Sequence, residues 1–451
     1  MELDIVGLVG ACSYALDCIE AELVHVTNRH GKRVAYISVC MAERLGIEGS
    51  ALQDLAICAM LHDNALTQYI SEEIQENNIS NISLGGSTQG DKNTVVDSGG
   101  MFNESEDIIS ENGMAYSPEI IKSIAGSIHK KIGLHCTYGE QNIKKLPFYT
   151  DVSGAVLYHH ENADGTGTFG KRWDEIPLFA RIIHLCDMVD VMGNSCDFSG
   201  ESWIRAKEYV CRNRNILFDS ECADAFLEVF SEENFVSMSQ DRFEDELWKK
   251  IPRDKRDCDF ETCKGIADFF AGIVDYKSEF TGKHSLGVAK KAAELAEYMG
   301  YSQADIEKFY MAGALHDIGK MAIGNEILEK PGRLTDEEFS RMKNHAGYTY
   351  MILSEVKDFD EVRDWAALHH EKLDGTGYPF GKKAEELNEP ERLMACVDIY
   401  QALTEARPYK SGMSHDKACS ILEDMVQKGW IDAAVTDKLR SCFEVGGRDM
   451  V

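Results

Sequence analysis

The sequence lacks most features of secreted and membrane proteins. Only 8 prolines occur among 451 residues, which favours long helices over a β architecture with many turns. The 14 cysteines are scattered and form no CxxC pair, so we expect neither a disulfide framework nor a structural zinc module. The amino-terminal apolar run has no basic leader and predicts a helix. No apolar run approaches the roughly 18 residues of a membrane span. We therefore expect a cytoplasmic protein.

Basic residues are also scarce. Asp and Glu number 77 against 47 Lys and Arg, which gives a formal net charge of −30. Binding to a nucleic acid polymer needs clustered Lys and Arg, and an acidic surface disfavours anionic membranes. Neither partner is expected. At about 150 residues per domain, the length predicts two or three domains.

The spacing of the histidines indicates an internal duplication. In each half, a His precedes a His-Asp pair by 32 residues, and a later His precedes a His-His pair by 24 residues. Ten of the 14 histidines fall on this shared pattern, so we treat the chain as two repeats. The second repeat contributes His284, His316, Asp317, His345, His369, His370 and Asp398, and the first contributes His30, His62, Asp63, His135, His159, His160 and Asp187.

Apolar periodicity predicts that both repeats are mainly α-helical. Helices are expected over 284–299, in the run that ends at His316, and around Asp398. Thr335 and Glu338 form a capping-box pattern at the start of another helix. The predicted organisation is all-α, with two tandem helical bundles over 1–199 and 265–451, connecting helices over 200–264, and a surface loop inserted near 77–117.

The shared residues are metal ligands by type. His and Asp suit borderline divalent ions such as Fe, Mn, Zn or Ni. Seven of them are too many for one tetrahedral zinc ion, and they suit two divalent ions per site, with Asp317 bridging the two and His316 binding one of them. Two neighbouring ions clamp a phosphoryl group and activate water near neutral pH. The pattern therefore predicts a binuclear centre acting on an anionic phosphate substrate.

Other residues near this pattern suit phosphate binding. Lys320 follows the His-Asp pair, and Arg407 and Lys410 lie in the segment RPYK. Arg offers a planar fork to phosphate and Lys a point charge, although solvated surface charges remain the alternative for Arg407 and Lys410. Tyr378, in LDGTGYP, follows the His-His pair and is a candidate to stack on a base or to close over a phosphate.

Residues 265–445 resemble the HD-GYP family, a branch of the HD superfamily that hydrolyses cyclic dinucleotides. The matching stretches are FTGKHS, LHDIGK, KPGRLTDEEF, HHEKLDGTGYP and DIYQALTEARPYK. The resemblance implies a helical bundle with a metal centre, and hydrolysis of cyclic di-GMP or cyclic GMP-AMP to the linear dinucleotide or to mononucleotides. It also implies that the seven second-repeat residues bind metal, that Asp317 and Lys320 act in catalysis, and that Tyr378, Arg407 and Lys410 contact the substrate.

The second repeat departs from this family at two positions. Members with three metals use a Glu one turn before the first His; Phe280 stands there, with Glu279 one residue away, which favours two ions. Gln401 replaces a frequent Asp, which leaves the dinucleotide preference open.

The first repeat keeps seven equivalent ligands but loses other groups, which predicts a degenerate domain. In the first repeat Leu66, Thr168, Phe169 and Cys196 stand where the second has Lys320, Tyr378, Pro379 and Arg407.

Three functions are compatible with these patterns. The first is a metal-dependent cyclic dinucleotide phosphodiesterase centred on the second repeat. Another HD-type nucleotide phosphohydrolase is the second, although the GYP and RPYK stretches argue against it. The third is a cyclic dinucleotide sensor without turnover. A homodimer, the metal identity and the activity of the first repeat stay open at this stage.

Overall fold

The computed structural model describes most of the chain. The described residues are 1–23, 29–65, 68, 132–194, 197–240, 242–277, 284–328, 330, 332–406 and 411–445. The insert predicted near 77–117 lies outside them. The chain divides into two compact units, which we call the first-repeat unit (20–144 and 148–253) and the second-repeat unit (1–19, 145–147 and 254–451).

The first-repeat unit is built from helices. Their bounds are His30–Ala42, Ser50–Met60, 132–143, Leu178–Asn194, Gly200–Arg212, Ser220–Val229, Glu232–Ser237 and Arg242–Lys250, with a 3-10 turn at Glu43–Leu45. The helices between Gly200 and Lys250, in the segment predicted to connect the repeats, belong to this unit.

The second-repeat unit is also helical. The helix Ile5–Leu23 begins in it. Its other helices are Phe260–Lys277, His284–Tyr298, Gln303–Leu315, Asn325–Leu328, Asp336–Ser354, Asp360–Ala367, Glu389–Thr404, His415–Gln427 and Ala433–Val445, with 3-10 turns at Ile318–Ala322 and Ala384–Glu386. A single short antiparallel ladder within the described residues pairs Glu2–Leu3 with Arg256–Asp257. The predicted all-α class is confirmed. No helix in the described part of the chain is long and apolar enough to cross a bilayer.

Close helix packing brings the first ligands of each repeat together. A Cβ on Gly313 would lie 2.6 Å from Cα of Ala289, in the neighbouring helix. Because glycine has no side chain, the helices His284–Tyr298 and Gln303–Leu315 approach closely, and His284 meets His316 at their ends. Gly31 has the same role in the first repeat, where a Cβ would lie 2.7 Å from the carbonyl oxygen of Met60.

The helix that carries His345 begins with the predicted capping box. The Thr335 hydroxyl accepts the Glu338 amide N–H at 3.2 Å, and the Glu338 carboxylate accepts the Thr335 amide N–H at 2.7 Å. Two backbone donors that a helix start leaves open are thereby satisfied. Further along this helix, the Thr349 hydroxyl donates to the carbonyl of His316 at 2.9 Å. Thr349 therefore ties the His-Asp turn to the helix Asp336–Ser354.

Candidate metal centre

The second-repeat unit brings its seven predicted ligands into one cluster. Three of its histidines have Nδ1 next to the carbonyl oxygen three residues earlier: His316 to Gly313 at 2.7 Å, His345 to Met342 at 2.7 Å and His369 to Ala366 at 2.6 Å. Because a carbonyl only accepts, Nδ1 carries the proton and Nε2 is the nitrogen that can bind a metal. The backbone thus fixes the tautomer of each ring.

The cluster contains three groups of three ligands, and in each group one ligand atom per residue lies within 4.8 Å of the others. His316, Asp317 and His369 form the group that shares a member with each of the other two, which are His284, His316 and Asp398, and His345, His369 and His370. Asp317 lies between them: its Oδ2 is 3.1 Å from Nε2 of His316, and its Oδ1 is 3.5 Å from Nε2 of His345. A carboxylate with one oxygen toward each group is the arrangement of a bridging ligand.

The charges of the cluster suit cations. Burial lowers the pKa of His345 to about 3 and lowers the pKa of His369 well below its usual range, so both rings are neutral. Burial opposes ionisation of Asp317, but His316 and Lys320 hold the pKa of that carboxyl well below its ordinary value. Neutral imidazoles and ionised carboxylates are the forms that bind metal.

Several buried ligand atoms in the cluster have no hydrogen-bond partner within the described residues. They are Oδ1 of Asp317, Nε2 of His345 and Nε2 of His369. Leaving such atoms unsatisfied costs about 1–3 kcal/mol each, and divalent ions would satisfy all three. The donor set and these unpartnered atoms together fit a metal centre.

His284 is held from both sides of its ring. Its Nε2 lies 3.1 Å from Asp398, and its Nδ1 lies 3.1 Å from Glu405. Burial opposes the charged ring, but the two carboxylates raise the pKa of His284 to about 10. A metal ion that binds Nε2 must therefore displace a proton.

Two lysines and an aromatic ring border the cluster. Lys320 Nζ lies 2.6 Å from Oδ2 of Asp317. The ring of Tyr378 lies 4.7 Å from that of His370, centroid to centroid. Lys343 Nζ lies 5.7 Å from the centre of the Tyr378 ring and 4.8 Å from that of Phe339. Cations can bind the phosphate of a nucleotide and aromatic faces can stack on its base, so together they suit a nucleotide ligand.

The segment after the His-His pair wraps around a carboxylate. Glu371 accepts the amide N–H groups of Phe380, Gly381 and Lys382 at 2.7–3.0 Å. Glu161 does the same in the first repeat, with the amides of Phe169 and Lys171 at 2.6 Å. In the second repeat this loop carries Tyr378 to the cluster.

Six residues that the sequence singled out as candidates, family departures or counterparts lie outside the described residues. They are Arg407, Lys410, Glu279, Phe280, Leu66 and Cys196.

The first-repeat unit assembles its own cluster. Asp63 again lies between ligands: its Oδ1 is 2.8 Å from His135 Nε2 and 3.5 Å from His159 Nε2, and its Oδ2 is 3.6 Å from His62. Asp187 Oδ1 lies 3.4 Å from Nε2 of His30. His160 joins a group with His135, His159 and the neighbouring Cys136. All seven predicted ligands are therefore clustered in this repeat as well.

A buried ion pair distinguishes the first cluster from the second. Arg33 binds Asp190 through two bonds of 2.6 and 2.9 Å, and Asp190 also contacts Nδ1 of His30 at 2.8 Å. In the second repeat the positions that correspond to Arg33 and Asp190 are Gly287 and Gln401. The side chain of Gln401 occupies the space that a Cβ on Gly287 would need. Each repeat thus anchors its first histidine differently.

Sequence reasoning missed several of these residues. They are Glu405, Lys343, Cys136, Arg33, Asp190 and His184. Comparison of the repeats position by position would have identified the last four, whose counterparts are Ala346, Gly287, Gln401 and Ala395. His184 is buried, and its pKa falls to about 4 chiefly because of that burial. Glu405 and Lys343 carried no local signal.

The chain is similar to known proteins over most of its length. A family model described as HD domain matches residues 126–212 and 268–435. The chain is 30% identical over 340 residues to 3′3′-cGAMP-specific phosphodiesterase 1 of Vibrio cholerae, covering 73% of this chain and 78% of the relative. It is 32% identical over 320 residues to 3′3′-cGAMP-specific phosphodiesterase 3 of the same organism, covering 70% and 66%. A cyclic di-GMP phosphodiesterase of Thermotoga maritima is 35% identical over 158 residues, covering 35% and 43%.

A solved structure has the same fold. The crystal structure of a cyclic GMP-AMP specific phosphodiesterase of Vibrio cholerae aligns with 99% of this chain and 98% of its own length. The TM-score is 0.63 at 23% sequence identity.

Proposed function

The chain belongs to the HD domain family, and on that premise we propose that it is a metal-dependent phosphodiesterase that hydrolyses cyclic dinucleotides in its second-repeat unit. The observation that carries the proposal is the position of Asp317 between two groups of three ligands. The names of relatives that span most of the chain support the substrate class.

The groups of His284 and of His345 would each hold one divalent ion, with Asp317 shared between them. Bound there, the ions would neutralise phosphoryl charge and lower the pKa of an attacking water. The mixed His and carboxylate set suits Fe(II) or Mn(II). Cyclic GMP-AMP is the proposed preferred substrate, because two of the relatives named for it match 70% or more of this chain, whereas the cyclic di-GMP phosphodiesterase of Thermotoga maritima matches 35%.

The residues around the ions would bind and orient the dinucleotide. In the reaction a water oxygen forms a bond to phosphorus, the bond to the 3′ oxygen breaks, and a linear dinucleotide with a 5′-phosphate results. Lys320, whose cation lies beside Asp317, would stabilise the charge that develops on the phosphoryl oxygens. Tyr378 would stack against a base, and Arg407 and Lys410 would bind the phosphates.

The two repeats would divide the work. We propose domains at 1–199 and 265–451 with connecting helices at 200–264, the first domain being degenerate. Lys320 and Lys343 border the second cluster, whereas position 133, the counterpart of Lys343, is a glycine that packs against Thr168. A metal ion alone does not position a dinucleotide, so the first repeat would be nearly inactive.

The test is hydrolysis by the purified full chain loaded with Mn(II) or Fe(II). Cyclic GMP-AMP, cyclic di-GMP and deoxynucleoside triphosphates are supplied separately, and products are separated by chromatography. We expect linear dinucleotide from the cyclic substrates and no triphosphate hydrolysis. Binding of the cyclic substrates without any turnover would instead identify a sensor.

Asp317→Asn and Asp63→Asn make a matched pair for this experiment. Both replace the central carboxylate of a cluster while keeping its size. We expect Asp317→Asn to abolish turnover and Asp63→Asn to keep most of it. Equal loss in both variants, with metal still present in the second-repeat unit, would contradict the division of work.

A further inference from the structure

We propose that Phe339 and Lys343 form a second subsite of the second-repeat unit, which binds the nucleotide whose phosphate is not attacked. This inference rests on the proposed function and adds a base-binding residue, Phe339, to it. Both residues belong to the helix Asp336–Ser354. They are four positions apart, so their side chains share one face of the helix. The same helix carries the ligand His345.

The Lys343 ammonium connects this helix face to the metal cluster. Its Nζ lies 4.8 Å from the centre of the Phe339 ring and 5.7 Å from the centre of the Tyr378 ring. The Tyr378 ring in turn lies 4.7 Å from the ring of His370 and 6.3 Å from that of His345, centroid to centroid. A continuous row of contacts therefore runs from the ligands through Tyr378 and Lys343 to Phe339.

Both the ring and the cation are available to a ligand. Phe339 is 46% exposed although its side chain is large and apolar. Within the described residues no carboxylate forms an ion pair with Lys343, in a chain whose net charge is −30. Single exposed apolar residues are common on protein surfaces, but here an unpaired ammonium lies beside the exposed ring. The combination suits an anionic ligand that also has a flat apolar part.

A cyclic dinucleotide has the chemistry that this subsite would bind. It is a closed ring of two nucleosides joined by two phosphodiesters, so one phosphate lies away from the ions while the other is attacked. Lys343 would form an ion pair with this second phosphate. Phe339 would stack on one base, while Tyr378 would stack on the other. Stacking tolerates any base, so the subsite would raise the affinity for two-base ligands without selecting between adenine and guanine.

The first repeat replaces most of this row. The counterpart of Lys343 is Gly133, where a Cβ would lie 3.1 Å from the side chain of Thr168. Thr168 itself stands where the second repeat has Tyr378. The third counterpart, His129, lies outside the described residues. A cation and an aromatic ring are therefore both lost from the first repeat, which agrees with a nucleotide subsite that belongs to the second repeat.

The test is steady-state hydrolysis of cyclic GMP-AMP and of cyclic di-GMP by the full chain loaded with Mn(II). We expect Phe339→Leu to raise KM for both substrates about tenfold, because one stacked base is lost. The kcat should change little, because the attacked phosphate lies at the metal cluster. Phe339→Tyr keeps a ring and should keep the wild-type KM. Met351→Ala, at an exposed apolar position of the same helix, is the matched control.

The outcomes separate this inference from the proposed function. Absence of turnover in the wild type would contradict the proposed function, and titration calorimetry with the cyclic dinucleotide would then measure the effect of Phe339→Leu on affinity. Turnover in the wild type with an unchanged KM in Phe339→Leu overturns the second subsite alone. An equal rise of KM in Phe339→Leu and Phe339→Tyr does so too, because the ring would then not matter. A lower Tm of Phe339→Leu at unchanged KM would show that Phe339 only stabilises its helix.

Discussion

Glu405 places a carboxylate oxygen 3.1 Å from Nδ1 of His284, while Nε2 of the same ring lies 3.1 Å from Asp398. The first repeat anchors His30 through Asp190, three residues after its last ligand, whereas Glu405 follows Asp398 by seven. The anchoring carboxylate has thus moved by about one helical turn. It now lies at the end of the helix Glu389–Thr404, close in sequence to the predicted substrate residues Arg407 and Lys410.

Replacing this anchor should weaken the metal centre. Carboxylates that hold a ligand histidine orient its ring and raise its basicity, and their loss commonly costs 10–100-fold in metal affinity. We expect Glu405→Gln to lower the affinity of the second-repeat unit for Mn(II) by roughly that factor, as measured by titration calorimetry. Glu297→Gln, at an exposed position, should change nothing. Unchanged affinity in Glu405→Gln would show that Glu405 does not position His284.

Lys343 should contribute to substrate binding. Its ammonium lies near the rings of Phe339 and Tyr378 at the edge of the cluster. From there it would form an ion pair with a phosphate of the bound substrate. We expect Lys343→Gln to raise KM for the cyclic dinucleotide about tenfold, or roughly 1.4 kcal/mol, with little change in kcat. Lys357→Gln, at an exposed position on the same unit, is the control. A fall in kcat alone would contradict a binding role.

Lys320 should act on the transition state. Its Nζ lies 2.6 Å from Asp317 and is partly exposed to solvent. Loss of one group that stabilises developing charge commonly costs about 10²–10³-fold in kcat. We expect a loss of this size in kcat for Lys320→Met. Elemental analysis should find the same metal content as in the wild type, because Lys320 is not a metal ligand. If the variant loses its metal as well, Lys320 has a structural role instead.

Stability should depend on pH through Asp275. Burial raises the pKa of this carboxyl to about 7, although a bond of 2.9 Å from the Ser285 hydroxyl opposes the shift. Since the folded state favours the protonated carboxyl, Asp275 hardly changes the free energy of unfolding at acid pH. As the pH rises from the ordinary pKa near 4 through about 7, the buried carboxyl lowers the free energy of unfolding more and more.

Asp275→Asn removes this titration. In the metal-free chain we expect the variant to be more stable than the wild type at pH 8, by a few kcal/mol at most, and about equal at pH 5. Urea unfolding at both pH values measures the difference. The exposed Asp437→Asn should behave as the wild type at both. A constant difference between the two pH values would exclude Asp275 as the titrating group.

The local elements of the fold were predictable because each depends on neighbours in sequence. The capping box of Thr335 and Glu338 needs only two residues three positions apart, and both can be recognised in the sequence. The helix that starts at His284 follows from a 3–4 apolar spacing. The repeat was equally accessible, since equal spacings between histidines are visible without any structure.

The contacts that set the chemistry of each cluster were not predictable in the same way. Glu405 and His284 are separated by 121 residues, and Arg33 and Asp190 by 157. Neither pair has a local pattern, because each forms only when two distant helices pack side by side. The nitrogen that each histidine offers also depends on its neighbours in space, as His135 and His345 demonstrate.

The sequence alone therefore determined the helical class, the duplication and the identity of fourteen ligand candidates. Tertiary packing decided that Asp317 lies between two groups of ligands, that Glu405 holds His284, and that Cys136 joins a histidine group in the first repeat. The physical reason is range. Helix formation and capping act within about one turn of the chain, whereas ligand geometry depends on ångström-scale distances between residues that only the packed core brings together.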